Sequence, residues 1–172
     1  MKMKKVLIFD TDILCVYLQI PKFEECGPLS DRWTKARIDQ LITQEEQAKT
    51  IFVLPLAAII ETGNHITQAS GNRYAIAQQF AELMKKVANA QDPWAAFTEQ
   101  AEFWEPEALK KLADEWSKKV SKNLSMGDIS IKSIADYYSK MDSYQVEILT
   151  GDQGLKSYEP TPTQLTPRRR QK

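Results

Sequence analysis

The sequence predicts an α/β fold in which a buried parallel sheet is covered by helices. Three short apolar runs have the length and β-branched content of strands: Val6-Leu7-Ile8-Phe9, Ile51-Phe52-Val53-Leu54 and Val146-Glu147-Ile148-Leu149. Long stretches with apolar residues at helical spacing separate them. Two of the runs are followed by an acid, Asp10 and Asp152, at the sheet edge where open α/β folds present their ligand-binding groups. With 172 residues, 42% hydrophobic and 27% charged, the chain suits one globular domain with a sizeable core.

Taken in order, residues 13–20 read as a short helix with Asp12 as its N-cap and Pro21 as its stop. After a loop through Gly27 and Pro28, Ser30 or Asp31 caps a second helix. Its apolar face is Trp33, Ala36, Ile38, Leu41 and Ile42. The second strand ends at Pro55, which suits a helix start because it has no N–H to leave unpaired. The helix of residues 56–68 carries Glu61 in its second turn and breaks at Ser70-Gly71-Asn72. A long helix is expected over 73–90. Asp92-Pro93 opens another, with a stripe of Trp94, Phe97, Ala101 and Trp104, and Pro106 opens a third with Leu109, Leu112, Ala113, Trp116 and Val120 turned inward. Residues 72–122 are thus an enlarged helical segment. Ser125-Met126-Gly127-Asp128 starts a helix with Ile129, Ile131, Ile134, Ala135 and Tyr138 on its apolar side. The third strand, Thr150-Gly151-Asp152 and a turn of helix over 153–158 complete a domain of residues 1–158. Residues 159–172 form a Pro-rich tail ending in Arg168, Arg169, Arg170, Gln171 and Lys172.

Composition narrows the chemistry. Lys plus Arg equals Asp plus Glu, so any grip on nucleic acid must come from a local patch. The basic N-terminus is followed by an apolar run too short for a signal peptide, and no stretch is long and apolar enough to span a membrane, so a cytoplasmic location is expected. Cys15 and Cys26 are the only cysteines and are expected as reduced thiols; His65 is the only histidine. Most structural zinc sites and any histidine pair are excluded. A metal would have to be held by carboxylates, which suits a hard cation such as Mg2+ or Mn2+.

Four carboxylates from distant segments are expected to converge. Asp10 and Asp152 end neighbouring strands, Glu61 lies on the helix after the second strand, and Asp128 lies in the first turn of the helix before the third, where the helix dipole favours an anion. Crowded acids repel one another, so they must take up protons or hold a cation. Two divalent ions about 3.5–4 Å apart would suit attack of water on a phosphodiester.

The segments VLIFDTDIL, LAAIIETG, SMGDISIKSIADYY and VEILTGDQGLKSY, in this order, resemble the PIN-domain family of nucleases, and in particular toxin ribonucleases of the VapC type. Thr11 and Thr150 match the family's small hydroxyl residue after the first Asp and its Ser or Thr before the last. The resemblance covers roughly residues 5–70 and 123–158. It implies a three-layer fold with a central parallel sheet of 4–5 strands, and Asp10, Glu61, Asp128 and Asp152 as catalytic metal ligands supported by Thr150 and Asp12. It also implies Mg2+ or Mn2+ as cofactor, RNA as substrate, a homodimer and an inhibiting antitoxin protein. The sequence departs from the family in its longer segment 72–122, in Asp12 where Ser or Asn is usual, and in lacking an evident strand after Asp152.

Several residues carry two readings. Asp12 is a helix cap or a ligand, Thr150 orients an Asp or makes a turn, and His65, one turn after Glu61, is near the site or an ordinary helix residue. The tryptophans are core or nucleotide-stacking groups. Lys132 and Lys156 are solvated or touch phosphate, and the 168–170 run is a tail with affinity for RNA or a partner. Two other functions fit parts of the sequence. Asp10-Thr11-Asp12 with Gly127-Asp128 resembles the haloacid-dehalogenase phosphatases, with Asp10 as nucleophile, although Ile13-Leu14 replaces their Gly-Thr and the Thr-ended strand follows Asp128 instead of preceding it. The same fold could also act as a non-catalytic RNA- or protein-binding module.

Overall fold

The computed structural model describes residues 3–161. The basic run at 168–170 lies outside the described residues. Strand β1 (Lys4–Phe9) is the centre of a three-stranded parallel sheet, between β4 (Ile51–Val53) and β5 (Tyr144–Leu149). The register runs Val6 to Ile51 and Ile8 to Val53 on one side, and Lys4 to Tyr144 and Phe9 to Leu149 on the other.

Because side chains alternate along a strand, β1 feeds two cores. Leu7 and Phe9 point into a cluster with Ile13, Leu14, Ile38, Phe52, Ala58 and Val87. Phe52 comes from β4 and the others from helices α1 (Thr11–Tyr17), α2 (Lys35–Gln47), α3 (Leu56–Gln68) and α4 (Arg73–Ala88). Val6 and Ile8 point the other way, against Ile131, Ile134, Ala135 and Tyr138 of α6 (Met126–Ser139) and Leu155 of α7 (Gln153–Lys156). Leu7 and Ile8 are fully buried, and each such side chain contributes roughly 1.5–3 kcal/mol of hydrophobic stabilisation. The sheet therefore lies between helical layers, as expected.

The sheet has three parallel strands, where four or five were expected. Polar groups occupy both outer edges. Beyond β5, Ile148 N–H donates to Glu159 Oε2 at 2.9 Å and Lys156 Nζ donates to Ile148 O at 2.9 Å, so side chains take the bonds a further strand would make. Beyond β4, Phe52 N–H donates to Pro93 O and Ala95 N–H to Phe52 O, a single parallel bridge centred on Trp94. That bridge replaces the helix expected to open at Asp92-Pro93, whose peptide bond is cis. A 3-10 helix, Phe97–Trp104, follows.

Other local expectations shift as well. Asp10, not Asp12, caps α1, its Oδ1 accepting from Thr11 N–H. Thr34, not Ser30 or Asp31, caps α2; residues 29–31 make a 3-10 turn between the short antiparallel strands β2 (Glu25–Cys26) and β3 (Trp33–Thr34). Helix α5 (Pro106–Lys119) starts at Pro106 as expected but has no fully buried residue, and Leu109 and Val120 are exposed instead of inward. The segment 72–122 is tied to the sheet by Gln100, which is buried. Its Nε2 donates to Leu54 O at 2.8 Å and its Oε1 accepts from Leu56 N–H at 3.0 Å, satisfying an open donor at the start of α3. That fixes the helix on which Glu61 stands. Among the described residues, no helix is long and apolar enough to cross a membrane.

Candidate functional site

At the carboxyl edge of the sheet, Asp10, Glu61, Asp128 and Asp152 line one open cleft of about 260 Å³, together with Thr11 and Asp12. Cys15, Phe23 and His65 complete the lining. The four acids expected to converge share this cleft, and Asp12 joins them as a fifth.

Each acid is held by the ends of the elements that carry it. Asp10 is 6% exposed. Its Oδ1 accepts from Thr11 N–H at 2.7 Å and its Oδ2 from Thr150 Oγ1 at 2.6 Å. Thr150 Oγ1 in turn accepts from Asp152 N–H at 2.9 Å, so this hydroxyl couples the ends of β1 and β5. Thr150 therefore orients Asp10. Thr11 Oγ1 donates to Glu61 Oε2 at 2.8 Å, which joins α1 to α3. Asp128 Oδ2 accepts from Ser125 N–H at 2.7 Å in a capping box at the start of α6, and Asp152 Oδ1 accepts from Gly154 N–H at 2.7 Å at the start of α7. Ordinary helix capping thus fixes three of these carboxylates at the mouth of the cleft.

Asp12 bonds both within its own turn and across the sheet edge. Its Oδ1 accepts from Ile13 N–H at 2.7 Å, and its Oδ2 reaches across to Gly151 N–H at 2.8 Å. The contact needs glycine at 151: a Cβ there would stand 2.6 Å from Gly27 N, 2.8 Å from Asp12 Oδ2 and 2.9 Å from Cys26 Sγ. Gly127 has a parallel role. A Cβ at 127 would overlap the Glu61 carboxylate and lie 3.1 Å from its Cδ, so the bare first turn of α6 is what lets Glu61 settle there.

The electrostatics follow from the crowding. Burial, then the Asp12 charge, pushes the Asp10 carboxyl up to about 8, against the hydrogen bonds from Thr150 and Thr11, with Asp128 adding to the rise. Burial raises Asp12 as well, opposed by its bonds from Gly151 and Ile13. Burial and then Asp12 push both thiols, Cys15 and Cys26, up to about 12. Both thiols are thus held toward their protonated form, which disfavours thiolate chemistry there.

Among the described residues, no three His, Cys, Asp or Glu side chains form a ready-made cage for a metal ion. The donor chemistry still fits a hydrated hard cation, which keeps several waters and takes only one or two carboxylates from a protein. Within the described residues, Glu61 Oε1, Asp128 Oδ1 and Asp152 Oδ2 accept none of the hydrogen bonds that fix their partner oxygens. A divalent ion would also offset the burial and the Asp12 charge that push the Asp10 carboxyl up.

Lys132, Lys156, Trp33 and Trp94 resolve toward structural roles. Lys132 pairs with Asp136 at 2.6 Å, and Lys156 pairs with Glu159 at 2.7 Å and faces Glu147. Trp94 packs on Phe9 and Phe52, and Trp33 lies under the Arg37 guanidinium. The aromatic group in the cleft is Phe23, beside His65. Phe23 stands in a loop with no periodic pattern around it, so nothing in the sequence singled it out. Compared with protein families, curated proteins and solved structures, the chain gives no match.

Proposed function

We propose that the protein is a divalent-metal-dependent ribonuclease that hydrolyses RNA phosphodiester bonds, acting as the toxin of a toxin–antitoxin pair. The observation that carries this reading is the convergence of five carboxylates, from four separate segments, on one open cleft at the carboxyl edge of a parallel sheet. The roles of an antitoxin protein and a second copy of the chain as partners rest on the resemblance of the four motifs to the PIN-domain family.

Asp10, Glu61, Asp128 and Asp152 would hold Mg2+ or Mn2+, which when bound would polarise the phosphate and lower the pKa of a water. The chain's own residues do the positioning. Thr150 holds Asp10 and Thr11 holds Glu61, so both carboxylates keep one orientation. Asp12 clamps the Gly151 turn, which keeps Thr150 and Asp152 beside Asp10. The burial of Asp10, with a hydrogen bond on each oxygen, makes it a poor nucleophile, which favours hydrolysis over an Asp10-phosphate intermediate.

A cleavage assay on single-stranded RNA tests the reading. Cutting is expected with Mn2+ or Mg2+, to stop with EDTA, and to fall on the order of 10²-fold or more in Asp128→Asn. Full activity in that variant, or in EDTA, would overturn it. Gly127→Ala separates function from folding. The added methyl meets only the terminal atoms of the Glu61 side chain, and alanine suits a first helical turn, so stability should stay within about 1 kcal/mol of wild type. Cleavage and Mn2+ affinity should fall at least about tenfold. Thermal melts and calorimetric Mn2+ titration check the two halves, and unchanged Mn2+ affinity would place Glu61 outside the metal site.

A further inference from the structure

Five carboxylates in one cleft repel a phosphodiester, and the lysines nearest them in sequence, Lys132 and Lys156, are engaged with Asp136, Glu147 and Glu159. Beyond the one phosphate that a bound cation would hold, attraction for the strand is then best supplied by an uncharged part of it. The cleft has one wall suited to that. The Phe23 and His65 rings meet with centroids 4.7 Å apart and planes inclined by 59°, and both side chains are half-buried at the cleft. Phe23 is held by the turn before it, where its N–H donates to Ile20 O at 2.9 Å. Its ring packs on the buried cluster of Cys15, Leu18, Ile20, Ile66 and Phe80. His65 stands on α3 four residues beyond Glu61, about 6 Å along the helix axis.

We propose that Phe23 and His65 form a stacking platform for the nucleobase next to the cleaved bond of a single-stranded RNA. The substrate in this proposal rests on the ribonuclease reading. A base presents a π-face that the acidic cleft does not repel, and stacking on an anchored ring tolerates any of the four bases. In a duplex those faces are covered by neighbouring pairs, so the platform selects unpaired strands.

The test is fluorescence anisotropy with a labelled single-stranded oligoribonucleotide and a matching strand of abasic residues, in Ca2+. Wild type is expected to bind the intact strand about tenfold more tightly than the abasic one. Phe23→Leu keeps the apolar packing and removes the flat ring. It should lose that preference while its melting temperature stays within a few degrees of wild type. Phe23→Trp should keep the preference; His65→Ala should weaken it and His65→Phe restore it. Equal discrimination by Phe23→Leu and wild type would overturn the proposal. Cleavage by wild type with no effect of Phe23→Leu sinks the platform and leaves the nuclease reading standing. Base-dependent binding without cleavage in Mg2+ or Mn2+ does the reverse, and no binding by wild type sinks both.

Discussion

Asp10→Asn is expected to reduce metal-dependent RNA cleavage on the order of 10²–10³-fold and, at the same time, to make the metal-free protein more stable at pH 8. The second effect follows from burial. The folded protein raises the Asp10 carboxyl from an ordinary value of 3.8 to about 8, chiefly by burial and then by the Asp12 charge. Between those two values the folded state binds a proton that the unfolded chain has released. The stabilisation from this group is therefore complete below pH 4 and is lost as pH rises through 8. At pH 8 the wild-type fold carries the cost of a buried carboxylate that an amide does not share. Asn can keep the bond from Thr11 N–H, and the Thr150 hydroxyl can turn to accept from the amide, so about one hydrogen bond, roughly 1 kcal/mol, is at stake on the other side. A net gain of at least several degrees in melting temperature at pH 8 is expected, turning into a loss of about 1 kcal/mol near pH 4, where only the lost hydrogen bond remains. Thermal melts of both proteins in EDTA from pH 4 to pH 8 measure it. A variant less stable than wild type at pH 8 would show that the Asp10 carboxylate is well accommodated without a cation.

The core of this fold was legible because its signal is dense. The runs 6–9 and 146–149 are strands, the run 51–54 is one up to Val53, and Ile129, Ile131, Ile134, Ala135 and Tyr138 are all buried on α6. The four acids were legible for a different reason: parallel strands put their carboxyl ends on one edge, so acids following strands must share it. The misses lie at the two sheet edges and in contacts between distant segments. Nothing local says that Glu159 and Lys156 seal the edge of β5, or that Pro93 and Ala95 bond to Phe52 while the chain passes through a cis peptide. The stripe of Trp94, Phe97, Ala101 and Trp104 mimics helical spacing, yet Trp94 is drawn out of it by Phe9 and Phe52. Asp12 was misread as the cap because capping depends on which acid leaves the strand first, and its long-range bond to Gly151 spans 139 residues of sequence. Gly127 and Gly151 carried no visible role, since what they exclude lies on Glu61 and on Gly27.

Divalent-cation affinity should fall about a hundredfold between pH 8 and pH 6. A cation that takes Asp10 as a ligand has to displace its proton, so below about pH 8 each unit of pH costs a factor of about ten in apparent affinity. The sign is opposite to that of the stability effect, because acid stabilises the metal-free fold by protonating the group that the cation needs ionised. Two consequences separate Asp10 from the other acids. Binding at pH 7 should release close to one proton, seen as a dependence of the calorimetric heat on the ionisation enthalpy of the buffer. In Asp10→Asn the residual affinity should vary little over the same range, apart from what the raised Asp12 contributes through burial. Mn2+ titrations of both proteins at pH 6, 7 and 8 decide the matter: equal wild-type affinity at pH 6 and pH 8 would remove Asp10 from the metal site. A steep dependence that survives Asp10→Asn would transfer the ligand role to Asp12, the other carboxylate that burial holds toward its protonated form in this cleft.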